Sequence, residues 1–263
     1  MTMTDINDRL SEMQTITLQQ MQDIRLMDRI DSKFVAPISF LPVLLSKMQS
    51  LFMVQKINDS LITPYTTQYL DTDHLDLFLM HQNGKLNRQK VRIRSYVESD
   101  LSFLEIKNKN NKKRTRKVRI STCHAHIDSV DDFEEEVSFL EENSLFEYHN
   151  LQPVLANTFK RITFVNNNKS ERITVDFDLS FDNYRSGLKK NLEELMVLEL
   201  KQDGWQHSDF RDILLDLRIK PISFSKYCMG TTLTNPNVKY NRFKAKWAII
   251  NKILTNDSNG NRF

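Results

Sequence analysis

Four basic residues, Arg88, Lys90, Arg92 and Arg94, alternate with Gln89, Val91 and Ile93. The segment is rich in β-branched residues and alternates strictly, so it predicts a strand. Side chains two apart on a strand share a face, which sets these four cations roughly 6–7 Å apart in a single row. Like charges so close repel one another, and an anion carrying several negative groups at a similar spacing relieves the repulsion. A chain of phosphates has that spacing.

Other segments repeat the arrangement of an apolar face opposite a charged one. Glu105, Lys107 and Lys109 alternate with Leu104 and Ile106, and Glu199 and Lys201 alternate with Leu198 and Leu200. Arg29, Asp31 and Lys33 alternate near the start, Phe159 with Arg161 in the middle, and Arg172, Thr174 and Asp176 after it. On a half-buried sheet with one wet face the outward charges are ordinarily of mixed sign. Here cations dominate. An interior lined by lysine and arginine cannot pack as a dry core, because unpaired buried charge costs several kcal/mol on the order of a whole domain's stability margin. A curled sheet with these residues inward would enclose a wet, basic passage that phosphate stabilises.

The elements that must hold these residues follow from periodicity. A strand is expected at 65–71, others at about 87–97, 101–109 and 114–121, and three more at about 154–165, 171–179 and 193–201. Helices are expected after Ser39, at 74–81, across the acidic stretch 130–143, after the Ser208 cap, and at about 238–254 with an apolar stripe from Tyr240 to Leu254. Ile222 to Tyr227 reads as a short extended piece. Together these predict an α+β fold, an antiparallel β-barrel or tunnel with a basic interior and flanking helices. No Pro/Gly/Ser linker divides the chain. Residues 1–24 are expected to be a helical or flexible segment, 25–255 one tunnel domain, and 256–263 a flexible tail.

Composition sets the outer bounds. The chain has 263 residues and a net charge of +3. That small excess hides an asymmetry: residues 85–120 hold thirteen Lys or Arg against three Asp or Glu, while 121–159 hold nine acids and no Lys or Arg. The basic block indicates a polyanion site, and the acidic block an exposed helix. Five glycines are too few and too scattered for a phosphate-cradling loop, so phosphate must be met by side chains. Cys123 and Cys228 give neither a zinc spacing nor a disulfide framework, and the histidines give no metal-ligand spacing. No secretory signal or membrane-spanning run is evident, which fits a reducing, cytoplasmic setting. Only Tyr96 and Phe103 interrupt the basic block, so no nucleic-acid partner is expected.

Arg29-x-Asp31-x-Lys33-Phe34-Val35, Tyr69-Leu70-Asp71-Thr72, Arg88-x-Lys90-x-Arg92-x-Arg94, Leu104-Glu105-Ile106-Lys107, Arg161, Arg172-Ile173-Thr174-x-Asp176, Leu198-Glu199-Leu200-Lys201 and Ser225-Lys226-Tyr227 follow one another in the order of a known family. Over residues 25–230 the chain resembles the VTC domain, the polyphosphate polymerase domain of the vacuolar transporter chaperone complex, within the triphosphate tunnel metalloenzymes. It is most similar to the compact stand-alone bacterial form, without the regulatory domain and membrane segments of eukaryotic versions. The resemblance implies an antiparallel β-tunnel in which the γ-phosphoryl group of ATP is transferred to a polyphosphate chain. It implies catalytic Lys33, Arg92, Arg94, Lys107 and Lys201, and phosphate contacts from Arg88, Lys90, Arg161, Arg172 and Lys226. Arg116 or Lys117 would add a contact from the next strand, with Arg116 taken first. Glu199 would bind Mn2+ or Mg2+, ATP and polyphosphate or pyrophosphate would be the partners, and a membrane protein could take up the product. Phe159 stands where the family often has Tyr. Hydrolysis of a triphosphate on the same scaffold, or binding of polyphosphate or inositol phosphates without chemistry, are the alternatives.

Overall fold

Alternating sequences become strands here wherever both faces find a use: one apolar core, one charged interior. In the computed structural model, which describes residues 3–22, 24, 29–112, 115–123, 127–129 and 133–258, the elements run α1 (Met3–Ser11), β1 (Thr15–Thr17), α2 (Leu18–Gln22), β2 (Arg29–Pro37), α3 (Leu41–Met48), β3 (Phe52–Lys56), β4 (Thr63–Asp71), α4 (Asp76–Gln82), β5 (Arg88–Tyr96), β6 (Leu101–Lys109), β7 (Thr115–Thr122), α5 (Glu134–Asn143), β8 (Gln152–Asn166), β9 (Glu171–Asn183), β10 (Lys189–Leu192), β11 (Leu195–Asp203), α6 (Asp209–Asp216), α7 (Lys226–Thr234) and α8 (Asn241–Ser258). His124, His126, the first residues of the acidic stretch and the last five of the expected tail lie outside the described residues.

The main path of the sheet is β2-β11-β9-β8-β4-β5-β6-β7, antiparallel throughout. The sheet curls into a half-barrel. Lys107 on β6 lies within electrostatic reach of Glu199 on β11 and Asp31 on β2, strands at the far end of the path. The free edge of β2 is met by the segment after α6, where the Ile222 N–H donates to the Lys33 carbonyl at 2.9 Å.

Convex and concave faces are both built from period-two alternation. On the convex side, Ile162, Phe164, Ile173, Val175, Leu198 and Leu200 pack under α1, α3 and α6. Further round, Val91, Ile93, Leu104 and Ile106 pack with Phe139 and Leu140 of α5. The acidic helix therefore covers the sheet with one face and shows Glu134, Glu135, Glu141 and Glu142 with the other, while Glu136 is buried and accepts from the Thr122 hydroxyl.

The concave face is divided along its length. At the end where β4 finishes, Leu155, Leu179, Phe181 and Tyr69 pack with Phe78 of α4, Tyr227 and Met229 of α7, and Phe243 and Ile250 of α8. A bulge makes this division possible. The β8–β9 register shifts between Thr158 and Lys160, and Asp178 takes a left-handed conformation with φ 54°. One extra residue re-aims the strand. The inward set on β9 thus changes from Arg172, Thr174 and Asp176 to Leu179 and Phe181. Helix α7 lies directly on this apolar half, since a Cβ at Gly230 would run into the Phe181 ring.

The segment expected to be extended up to Tyr227 turns into α7. Ser225 caps it, its hydroxyl accepting the Cys228 N–H at 3.3 Å. Asp71 secures the same end of the molecule. Its carboxylate accepts the backbone N–H groups of Thr72 at 2.7 Å, Leu77 at 2.8 Å and Phe78 at 2.9 Å, and the Tyr227 hydroxyl. It therefore caps α4 and ties α7 to β4. Among the described residues no helix is long and apolar enough to cross a membrane.

Candidate functional site

The other half of the concave face is charged, and cross-strand register assembles it. Lys33 on β2 pairs with Glu199 on β11, Glu199 with Thr174 on β9, and Lys201 with Arg172. Arg161 on β8 pairs with Asp176 on β9. Tyr69 and Thr67 of β4 pair with Arg92 and Arg94 of β5. Arg92 and Lys90 pair with Glu105 and Lys107 of β6, and these in turn with Arg119 and Lys117 of β7. Helix α7 adds Lys226, aimed into the face from its first turn.

Three carboxylates are each gripped by two cations. Glu105 accepts from Arg92 Nε and Nη2 at 2.9 and 2.7 Å, and its other oxygen meets Lys117. Asp176 accepts a bidentate fork from Arg161 at 2.5 and 2.7 Å and also meets Lys226. Glu199 lies 2.7 Å from Lys33 and 3.4 Å from Lys201. Burial alone would raise all three. The neighbouring cations win, holding Glu105 at about 2 and Asp176 and Glu199 well below the usual carboxylate range.

Cations remain after those acids are used. Among the described residues, Arg94 and Lys107 make no ion pair, and Lys90 donates only to Ser225 Oγ at 2.9 Å. With the six cations that clamp the acids, these three make a set of nine (Lys33, Lys90, Arg92, Arg94, Lys107, Lys117, Arg161, Lys201 and Lys226) against three carboxylates, an excess of six positive charges; Arg119 and Arg172 lie on the same face outside that set, as does Asp31, which pairs with Arg29. Burial and crowded charge also shift these groups. Burial and then nearby cations lower Lys107 to about 8. Burial likewise lowers Lys90 to about 8, with Arg92, Lys33 and Arg88 adding to it. Lys226 is also brought to about 8 by burial, which outweighs its pairing with Asp176. Desolvation holds buried Arg94 below its ordinary value, with Arg92 and Arg161 adding to it. Polar atoms on the same face are likewise unsatisfied by protein: Arg94 Nε, Thr67 Oγ1, Asn157 Oδ1 and Thr174 Oγ1 are buried without a hydrogen-bond partner. Native interiors seldom leave such groups unmet unless a ligand, ion or water serves them.

Three of the expected phosphate contacts are placed differently. Arg116 pairs with Asn108, on the face opposite Lys107, and points away from the charged row. Lys117 and Arg119 are the residues of β7 on that face, so of the two alternatives, Arg116 and Lys117, it is Lys117 that shares the row, and Arg116 does not. Arg172 has its place on the concave face, but its Nη2 donates to the carbonyls of Met21 at 2.7 Å and Ile24 at 3.4 Å. Arg88 stands at the far end of its ladder and donates to the Lys85 carbonyl at 3.0 Å. Glu105 and Asp176 also belong to the face, beyond the residues expected there from the sequence. Their signal was the alternation itself, since each lies two residues, or one register step, from a cation already chosen.

An aromatic row borders the cations. Phe159 stacks on Tyr65 with centroids 5.3 Å apart, Tyr65 meets Tyr96 at 5.0 Å, and Tyr96 meets Phe103 at 5.8 Å. Arg161 lies over Tyr65, Lys226 over Phe159 and Arg119 over Phe103, at 4.9, 4.2 and 4.3 Å. Phe159 thus keeps a hold on cations through its ring where a hydroxyl is lacking.

A model of the VTC domain family matches residues 28–235. The chain belongs to the VTC domain family. Among solved structures, looser likenesses extend the comparison to three proteins. One from Hippeastrum, described as an adenylyl cyclase candidate with a dominant triphosphatase activity, is 12% identical, with 81% of this chain and 100% of that one covered at a TM-score of 0.46. A Vibrio parahaemolyticus protein described as a candidate adenylate cyclase is 11% identical, with 78% and 99% covered at 0.45. A Pyrococcus horikoshii protein is 13% identical, with 78% and 98% covered at 0.44. No curated protein matches this VTC domain.

Metal dependence is implied by the family, and Glu199 is the residue it would fall to. Among the described residues no three His, Cys, Asp or Glu side chains gather into a cage for a metal ion, and both Glu199 oxygens face lysines. Magnesium-like ions are commonly bound through one or two carboxylates together with substrate phosphates and water. Among the described residues, the protein offers such an ion the Glu199 carboxylate, which its two lysines now hold, and no cage of several acids.

Proposed function

We propose that this chain is a polyphosphate polymerase, moving the γ-phosphoryl group of ATP onto the end of a polyphosphate chain lying along the concave face, with ADP as the leaving group. The observation that carries this reading is the charge count: six cations more than carboxylates, with Arg94 and Lys107 left without an anionic partner.

Phosphoryl transfer asks little covalent help from a protein. Positioning and neutralisation of the equatorial oxygens supply most of the rate. Arg92 and Arg161 are held by Glu105 and Asp176, so their guanidinium planes are fixed before substrate arrives. Arg94 and Lys107 contribute uncommitted charge, and Lys33 and Lys201 would exchange part of their hold on Glu199 for phosphate oxygens. Arginine forks bind two oxygens at once, while lysines act as point charges. Glu199 would hold the divalent ion jointly with those oxygens; when bound, such an ion neutralises charge building between donor and acceptor phosphates.

The acids of this face favour transfer over hydrolysis. Each is clamped by cations, Glu105 at about 2 and Asp176 and Glu199 also far below neutrality. They are poor general bases for a water molecule. A terminal phosphate is already an anionic nucleophile and needs no base.

Incubation of the purified protein with ATP, Mn2+ and a short polyphosphate primer, followed by a polyphosphate-stained gel, tests the proposal. A lengthening ladder is expected, lost in Arg92→Ala and reduced at least a hundredfold in Glu199→Gln, on the order of one preorganised electrostatic contact. Release of inorganic phosphate without a ladder would replace the polymerase reading with a triphosphatase.

A further inference from the structure

We infer that Phe103, Tyr96 and Arg119 form a nucleobase subsite at the open mouth of the charged face, so that the nucleoside of the donor nucleotide stacks there while its phosphates run inward. The inference rests on the reading of this face as a nucleoside triphosphate site and adds to it where the base is held.

Strand directions place the subsite. Strand β4 ends at Asp71, against α4 and α7, so its antiparallel partner β5 begins at that closed end and finishes at the open one. Tyr96 is the last residue of β5, and Phe103 lies near the start of β6, directly opposite Arg94. The aromatic pair thus borders Arg94, the outermost cation of the β5 row, with Arg92 and Lys90 following inward. A base at Phe103 would direct its phosphates toward the uncommitted guanidinium of Arg94.

The row of rings is graded in exposure. Phe159 and Tyr65 are 2% and 7% exposed and serve as a packed foundation. Tyr96 and Phe103 are half-buried, and their rings meet edge-on at 90°. The neighbouring turn shows more apolar surface, with Val97 54% and Leu101 49% exposed. Core packing accounts for the first pair of rings. It accounts for one side of Tyr96 as well, which packs against the same core, but not for Phe103, whose ring at the rim of the cationic face belongs to no core cluster.

Arg119 is the adjustable part. It is exposed, and among the described residues its guanidinium lies over the Phe103 ring and makes no ion pair. A planar cation over an aromatic ring can be lifted and laid over a base, giving a base held between ring and guanidinium. Such stacking accepts any base, because every base has a π-face. The subsite therefore takes nucleoside triphosphates broadly, with discrimination among bases weaker than discrimination against a ligand with no base.

Two ligands separate this inference from the reading beneath it. Dissociation constants for ATP and inorganic tripolyphosphate are measured on the full-length protein and on Phe103→Leu, which keeps apolar bulk but loses the ring. ATP affinity is expected to fall about tenfold in the variant, on the scale of one lost base–aromatic stack, with tripolyphosphate affinity unchanged. The fluorescence of 2-aminopurine riboside triphosphate should be quenched on binding wild type and not on binding the variant. Equal loss for both ligands, no loss for either, or no quenching by wild type would overturn the subsite while leaving the phosphate site standing. Failure of wild type to bind tripolyphosphate at all would remove both.

Discussion

Two buried polar networks in this molecule have opposite balances. Around Asp71, one carboxylate accepts three backbone N–H groups and a tyrosine hydroxyl, and no cation is involved. On the charged half of the concave face, three carboxylates are gripped by six cations, and three more cations stand beside them without an acid. The first network is complete within the chain and joins β4, α4 and α7. The second is incomplete without an anion from outside. Burial of polar groups is thus used once for architecture and once for recognition, and the difference lies in who satisfies the charges.

Substitutions should divide the two regions cleanly. Asp71→Ala leaves several buried donors unmet, and the unfolding free energy in a urea titration should fall by about 3 kcal/mol. A change below about 0.5 kcal/mol would show that Asp71 is not the tie between the helices and the sheet. Lys107→Met should act in the opposite sense. It removes an unpaired, largely buried cation, so the free protein should become more stable by about 1 kcal/mol. Affinity for tripolyphosphate should drop at the same time, by about tenfold, the usual scale of a charge-assisted contact. Loss of stability in Lys107→Met would mean that its charge is already satisfied within the chain.

Dependence on pH sharpens the contrast further. Lys90, Lys107 and Lys226 each titrate near 8 in the free protein, below an ordinary lysine. A bound polyanion restores their protonation, so binding takes up protons, and affinity must fall as pH rises through about 8. From pH 7 to pH 9 the loss should be about tenfold for each lysine that contacts the ligand. The carboxylates give no such effect there. Glu105, with its folded value near 2, contributes stability above the ordinary carboxylate range and loses it only as pH falls toward 2. An affinity that stays flat from pH 7 to 9 would show that none of these lysines meets the ligand.

Much of this was legible from alternation. The spans 88–96 and 101–109 and the shared face of Glu105, Lys107 and Lys109 follow from period two, and the VTC motifs name most of the cations. Three features were not legible, each for a physical reason. Arg116 was chosen where Lys117 faces inward, because a one-residue slip in pairing exchanges the faces of a strand. The run Lys226–Thr234 contains a glycine and three threonines, poor helix formers, and becomes helical through the Ser225 cap and its packing on Phe181. The clamps on Glu105 and Asp176 join residues on neighbouring strands whose register no local pattern states.

The central claim is that the concave face is short of anions and is completed by a chain of phosphates. Calorimetric titration of the wild-type protein and Arg94→Ala with inorganic tripolyphosphate at pH 7 tests it most directly. The account predicts saturable one-to-one binding that weakens with salt and is reduced at least tenfold by Arg94→Ala. Absence of binding, or equal binding by both proteins, would contradict it.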